Sequence, residues 1–198
     1  MKSSFSTIEK NVFKTLKDKL PKHLSYHSVE HTKYVLEKAI YIASKEGVFG
    51  KNLFLLKVAA LYHDIGFIKS NVEHEAIGCD IAQKELPKFG ISGEDVDIIC
   101  RMIMATKIPQ EPKTHLEKIL ADADLEYLGT KHFISVSELL FQELKYYNPN
   151  LSRDEWNSIQ INFMESHQYH TKFCKQYKSF RKQRHLKLLK LKHTKLNQ

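Results

Sequence analysis

The run Leu53-Phe54-Leu55-Leu56-Lys57-Val58-Ala59-Ala60-Leu61-Tyr62 constrains the fold more than any other part of the chain. It is apolar nearly all round, so a helix through it has no face suited to water. Such a helix is buried on most sides and needs other helices packed about it. The pattern predicts this helix over 52–65, stopped by Gly66. The run is well short of the ~18 apolar residues that a membrane span requires.

The rest of the chain supplies the neighbours. Helical spacing predicts helices over 6–18, 26–44, 73–86, 92–105, 115–128 and 134–147. In the second of these Val35, Leu36, Ala39, Ile42 and Ala43 keep to one face. An eighth helix starts at Ser152, where Ser152-Arg153-Asp154-Glu155 fits a capping box. No strand pattern of convincing length occurs. With only 7 Gly and 5 Pro in 198 residues, the expected fold is all-α, a compact helical bundle.

Composition narrows the setting. At 198 residues with 42% hydrophobic and 27% charged, the chain reads as an ordinary single-domain globular protein. Its three cysteines are far apart and include no CxxC, which argues against a disulfide framework or a cysteine zinc site. With no continuous apolar stretch of signal-peptide type near the start, a cytoplasmic setting is expected. The net charge of +8 is uneven. No acidic residue follows Glu165, whereas ten Lys and Arg lie between Lys172 and Lys195, so the body before them is slightly acidic. The chain is therefore divided into a body, 1–175, and a basic C-terminal tail, 176–198, that can continue as helix.

The chemistry begins at His63-Asp64, at the end of the most apolar helix. Two buried titratable groups need partners. On its own such a pair is more often hydrogen-bonded structure than a metal site, and context changes that balance. His27 and His31 are four apart, on one face of the predicted second helix, and His31 borders the core stripe. In the predicted sixth helix the core face is Leu116, Ile119, Leu120, Ala123 and Tyr127. Asp124 flanks that face at about 80 degrees from its centre, and Asp122 at about 120 degrees on the other side. Asp124 is thus the better candidate for an interior site. Asp122 is read as a cap, a Lys partner or a support. His31, His63, Asp64 and Asp124 together make a nitrogen and oxygen set that suits Mn, Fe, Co, Ni or Zn, admits Mg, and is a poor match for Ca.

This order of residues resembles the HD-domain superfamily of metal-dependent phosphohydrolases, and within it small, largely uncharacterised bacterial HD hydrolases. The resemblance rests on Tyr26-His27-Ser28-Val29-Glu30-His31, His63-Asp64-Ile65-Gly66, Ala105-Thr106-Lys107 and Asp122-Ala123-Asp124-Leu125. It runs from Tyr26 to Gly129 and extends towards Lys175. It implies one divalent metal on His31, His63, Asp64 and Asp124, and cleavage of a phosphoester or phosphoanhydride by attack of metal-bound water. It also implies a nucleotide or other small phosphorylated metabolite as substrate. The Tyr-His-x-x-x-His start is similar to that of the cyclic-nucleotide phosphodiesterases. By that likeness His27 is a candidate general acid, which with Asp64 completes the catalytic pair.

Two-metal HD proteins add two further His. His74 fits the first; at the second stand Thr106 and Lys107. His74 is then a substrate contact, a support for a weak second ion, or a solvated loop residue. Lys69, Thr106 and Lys107 are candidate substrate contacts, although a single Lys is more often solvated. The donor-rich segment 167–172 is a candidate cover for the site. Two alternatives to the hydrolase stay open: a cyclic or linear nucleotide phosphodiesterase, and a non-catalytic nucleotide-binding regulatory module. The tail has two readings, a helix packed by its leucines with a solvated Lys face, which is favoured, and a contact with nucleic acid or an anionic surface. The oligomeric state is left open.

Overall fold

The computed structural model describes residues 4–196, from 194 onward by backbone alone. Met1 and the side chains of Lys195 and Leu196 lie outside the described residues. Within them every regular element is a helix: α1 (Phe5–Lys19), α2 (Val29–Lys45), α3 (Gly50–Tyr62), α4 (His74–Glu85), α5 (Gly93–Met104), α6 (His115–Asp124), α7 (Phe133–Tyr147), α8 (Arg153–Ser166), α9 (Lys172–Tyr177) and α10 (Ser179–Leu196). Short 3-10 turns cover Ile65–Ile68, Leu86–Phe89 and Glu126–Gly129. The all-α expectation holds.

The apolar run becomes α3, with α1, α2, α5 and α6 packed round it. Leu55, Leu56 and every residue from Val58 to Tyr62 are buried. A second, smaller apolar cluster joins Tyr26 and the residues just after α6 to α7, α8 and α10, through Leu125, Leu128, Phe133, Met164 and Leu186.

Three boundaries differ from the sequence pattern, each for a local reason. The second helix starts at Val29 because Ser28, in extended conformation, accepts a hydrogen bond from the His31 N–H at 3.3 Å. His27 therefore precedes the helix, and its proximity to His31 does not come from helical spacing. The third helix stops at Tyr62, so His63 and Asp64 lie between it and the next turn. The sixth stops at Asp124, and a 3-10 turn takes Tyr127 and Leu128 into the second cluster. The capping box at Ser152 and Glu155 forms as expected.

The basic C-terminal segment is a packed helix. Leu186 is buried and Leu189 leans on the second cluster, while Leu188 and Leu191 face outward. Lys182 is buried, and its ammonium donates to the His167 carbonyl. No helix of the described residues is long and apolar enough to cross a membrane.

Candidate metal centre

His63 sits at the end of α3 with no exposed surface. Its Nδ1 is 2.9 Å from the Ala60 carbonyl oxygen. A carbonyl can only accept, so Nδ1 carries the proton and Nε2 turns a lone pair towards the interior. There it meets His31 Nε2 at 3.3 Å and Asp64 Oδ2 at 3.1 Å. His31 Nε2 in turn lies 3.1 Å from Asp124 Oδ1 and 3.3 Å from Asp64 Oδ2. Three of the four residues named from the sequence thus bring ligand atoms together, and Asp64 Oδ2 adjoins the two imidazole nitrogens. The ligand atoms of His31, His63 and Asp124 all lie within 4.8 Å of one another.

The donor set fits a divalent cation. Asp64 Oδ2 is buried and has no hydrogen-bond partner. Two carboxylates facing two imidazole nitrogens at a largely buried place favour a cation among them. Burial opposes a charge on His31, yet its contacts with the Asp124 and Asp64 carboxylates outweigh that and raise its pKa to about 10. The site thus attracts a positive charge strongly, and a metal competes there with a proton.

Asp122 does not join the cluster. It is fully buried behind it and accepts hydrogen bonds from the His170 N–H, the Thr171 N–H and the Thr171 hydroxyl, at 2.8, 2.8 and 2.6 Å. It therefore anchors the chain entering α9, and the segment 167–172 is held from behind and contributes nothing to the lining of the metal-side cavity.

His27 approaches from the loop before α2. Its Nδ1 is 2.5 Å from Glu143 Oε1, on α7, while Glu143 Oε2 accepts from the backbone N–H groups of Tyr26 and His27 at 2.8 and 3.0 Å. The Phe67 ring packs against the rings of His27 and His74, 4.1 Å from each, and those two rings are 6.0 Å apart. His74 Nε2 is 3.5 Å from Asp64 Oδ1 and 3.4 Å from Glu75 Oε1. Gly66 makes this approach possible, because a Cβ there would lie 1.9 Å from the His74 carbonyl oxygen.

From the centre a cavity of about 460 Å³ opens, lined at its polar end by His27, Asp64, His74, Glu75, Thr106 and Asp124. Its other walls are mostly apolar and come mainly from α7, α8 and the turn after Asp124. Thr106 is buried and its hydroxyl donates to the Ile103 carbonyl at 2.8 Å. The two lysines stand apart. Lys69 is exposed, Lys107 is paired with Glu73 at 2.7 Å, and neither lines this cavity.

Sequence reasoning missed Glu143, Phe67 and the apolar walls. Glu143 is 116 residues from His27, and nothing in the periodicity of α7 marks it. Phe67 directly follows Ile65-Gly66, so its place beside the metal pair was the one available signal.

A model of the HD domain matches residues 28–126. That span holds His31, His63, Asp64 and Asp124 and stops short of His27. No curated protein matches the chain. Among solved structures, Bacillus subtilis YpgQ in complex with ADP superposes with a TM-score of 0.65 at 18% identity, covering 97% of each chain. A second crystal structure of Bacillus subtilis YpgQ gives 0.66 at 18% identity, over 96% of this chain and 94% of that one. A predicted HD superfamily hydrolase from an uncultured Thermotogales bacterium gives 0.54 at 23% identity, over 79% and 88%. At these identities the likeness speaks for the fold.

Proposed function

The chain belongs to the HD-domain family, and on that premise we propose that it is a metal-dependent phosphohydrolase. His31, His63, Asp64 and Asp124 hold one divalent ion, drawn from Mn, Fe, Co, Ni and Zn, with Mg also admitted. The observation that carries this reading is the grouping of the ligand atoms of His31, His63 and Asp124, with the buried, unpartnered Asp64 Oδ2 beside it, at the end of a cavity. A divalent ion bound there lowers the pKa of water and polarises a phosphoryl oxygen.

The chain's own groups supply the rest. Glu143 accepts from His27 Nδ1, which leaves Nε2 as the nitrogen for substrate. Protonated His27 donates a proton to the leaving oxygen as the P–O bond breaks, and the Glu143 carboxylate stabilises its charge. His74 and Thr106, both on the cavity wall, contact the substrate, or His74 supports a weaker second ion. The substrate class is a nucleotide or another small phosphorylated metabolite. The ADP bound to the structurally similar YpgQ supports a nucleotide.

Elemental analysis of the purified protein beside an Asp124→Ala variant tests this. We expect about one equivalent of a transition metal in the parent, lost in the variant together with hydrolysis of a phosphoester panel. Such a panel includes bis-para-nitrophenyl phosphate beside nucleoside triphosphates, so preference for the diester would favour a phosphodiesterase. Metal absent from both proteins after adding these ions back would overturn the reading.

A further inference from the structure

We infer that the substrate of this site is a phosphate ester of a hydrocarbon group, free in solution, whose apolar part fills the cavity. The inference rests on the hydrolase reading above and, of the two substrate classes named there, takes the small phosphorylated metabolite over the nucleotide. Beyond the metal end, the walls are mostly apolar, with Leu128, Leu140, Leu144, Trp156, Phe163 and Met164 among them. Of the polar groups on that side, the Ser137 hydroxyl donates to Gln160 Oε1 at 2.8 Å, and Tyr26 and Tyr127 are buried. Among the described residues lining the cavity none is Lys or Arg, whereas Asp64, Glu75 and Asp124 are acidic.

Each of these facts bears on what fits. A nucleoside polyphosphate carries several negative charges, which proteins meet with Arg and Lys clamps. Here one metal ion and two imidazoles would have to serve, against three carboxylates. Sugar hydroxyls set against leucine and methionine would lose their hydration without gaining partners, at a cost. A hydrocarbon loses nothing and gains the transfer of its surface from water. A volume of about 460 Å³ falls within the range of small-molecule sites. A monoester bearing one phosphate matches both ends. In the reaction, water adds its oxygen to phosphorus, the ester P–O bond breaks, and the alcohol leaves with the proton from His27.

The chain has a single Trp, Trp156, and it stands in the cavity wall, so its fluorescence reports filling independently of turnover. Titration of the metal-loaded protein with butyl through decyl phosphate is expected to tighten binding about three- to fourfold per added CH2 until the cavity is full. AMP, ADP and ATP are expected to bind more weakly than octyl phosphate. Ile159→Asp, at a half-exposed position in the wall, should weaken decyl phosphate far more than butyl phosphate, with circular dichroism confirming that it folds. A flat chain-length series, or nucleotides binding more tightly than the alkyl phosphates, overturns the inference. If nucleotides are hydrolysed while the alkyl series is flat, the hydrolase reading survives without it. If the series is steep but no ester is cleaved with any metal, the cavity assignment survives and the hydrolase reading falls. Faster phosphate release from phosphatidate vesicles than from monomeric decyl phosphate overturns the assignment to a free ester.

Discussion

Glu143 binds one loop through three donors, and the consequences are local. Burial works against its ionisation, but the hydrogen bond and charge of His27 and the backbone donors of His27 and Tyr26 hold its carboxyl below the usual range. A carboxylate so held keeps the loop before α2 fixed at neutral pH, because stability from a depressed carboxyl pKa is lost only as pH falls through the folded value. On the proposed mechanism, His27→Gln keeps the metal and slows turnover by roughly 10²–10⁴-fold, as for a lost general acid. Glu143→Gln, acting through His27, should lower kcat with little change in KM and full metal content. Equal kcat in both variants and the parent would remove the acid role.

His167 offers a second test at this scale. It is buried, and neither ring nitrogen has a partner. Burial, reinforced by the charge of Lys182, pushes its pKa down to about 3. In the unfolded chain an imidazole titrates near 6.5. Between the two values the unfolded state binds the proton and the folded state does not, so stability is full above about pH 6.5 and falls as pH drops towards 3. At ~1.4 kcal/mol per pH unit, the loss between pH 7.5 and pH 5 is about 2 kcal/mol. His167→Phe should abolish most of that decline in urea titrations at the two pH values. An equally steep decline in the variant would assign it to other groups. The contrast with the metal ligands shows what a sequence can carry. His31, His63, Asp64 and Asp124 stand out because they interrupt or flank apolar stripes whose direction is legible. Glu143 and His167 acquire their roles from residues far along the chain.

At the scale of elements, the short turn Ile65–Ile68 decides how α4 meets the site. A Cβ on Gly66 would collide with the His74 carbonyl, a backbone atom that no side-chain rotation can move aside. Gly66→Ala must therefore push the start of α4 away, carrying His74 from Phe67 and Asp64. We expect a cost of roughly 1–3 kcal/mol, as for overpacking. Gly78→Ala, whose Cβ would lie 3.1 Å from the Tyr62 carbonyl, should cost less. Gly93→Ala, which meets nothing within 4 Å, serves as the control. If chemical denaturation ranks Gly66→Ala with that control, close approach is not why glycine stands there. From the sequence Gly66 reads as a stop for the apolar helix. Its role as a contact surface depends on α4 folding back over it, which periodicity does not encode. The early starts and late ends assigned to the second and sixth helices have the same origin. Apolar residues continue the helical pattern through Tyr26 and through Tyr127-Leu128, but they serve the second cluster instead.

At the scale of the molecule, the two larger apolar clusters flank the metal end of the cavity. The larger one, about α3, supplies His31, His63 and Asp64 from its edge. The smaller one, with Trp156 and Leu144 of a third cluster, supplies the apolar walls, and α10 closes its back. There Leu186 is buried, His185 Nε2 donates to the Thr130 carbonyl at 2.8 Å, and Lys178, just before α10, pairs with the buried Glu126, next but one to Asp124. The positive charge of this helix catches the eye in the sequence, but its leucines give it a structural role. Leu186→Ala should cost about 2–4 kcal/mol, as for other buried leucines, whereas Lys187→Ala, at an exposed position, should change stability little. Removing the chain from Ser179 onward should lower the melting temperature, expose the second cluster and reduce turnover, because the turn that follows Asp124 loses its support. A solvated arm for nucleic acid predicts the opposite pattern: unchanged melting and turnover, with loss of a salt-sensitive affinity for a DNA or RNA duplex. Melting curves and duplex titrations on the full and shortened chains separate the two, since a helix that holds the cavity wall cannot be removed without the wall responding.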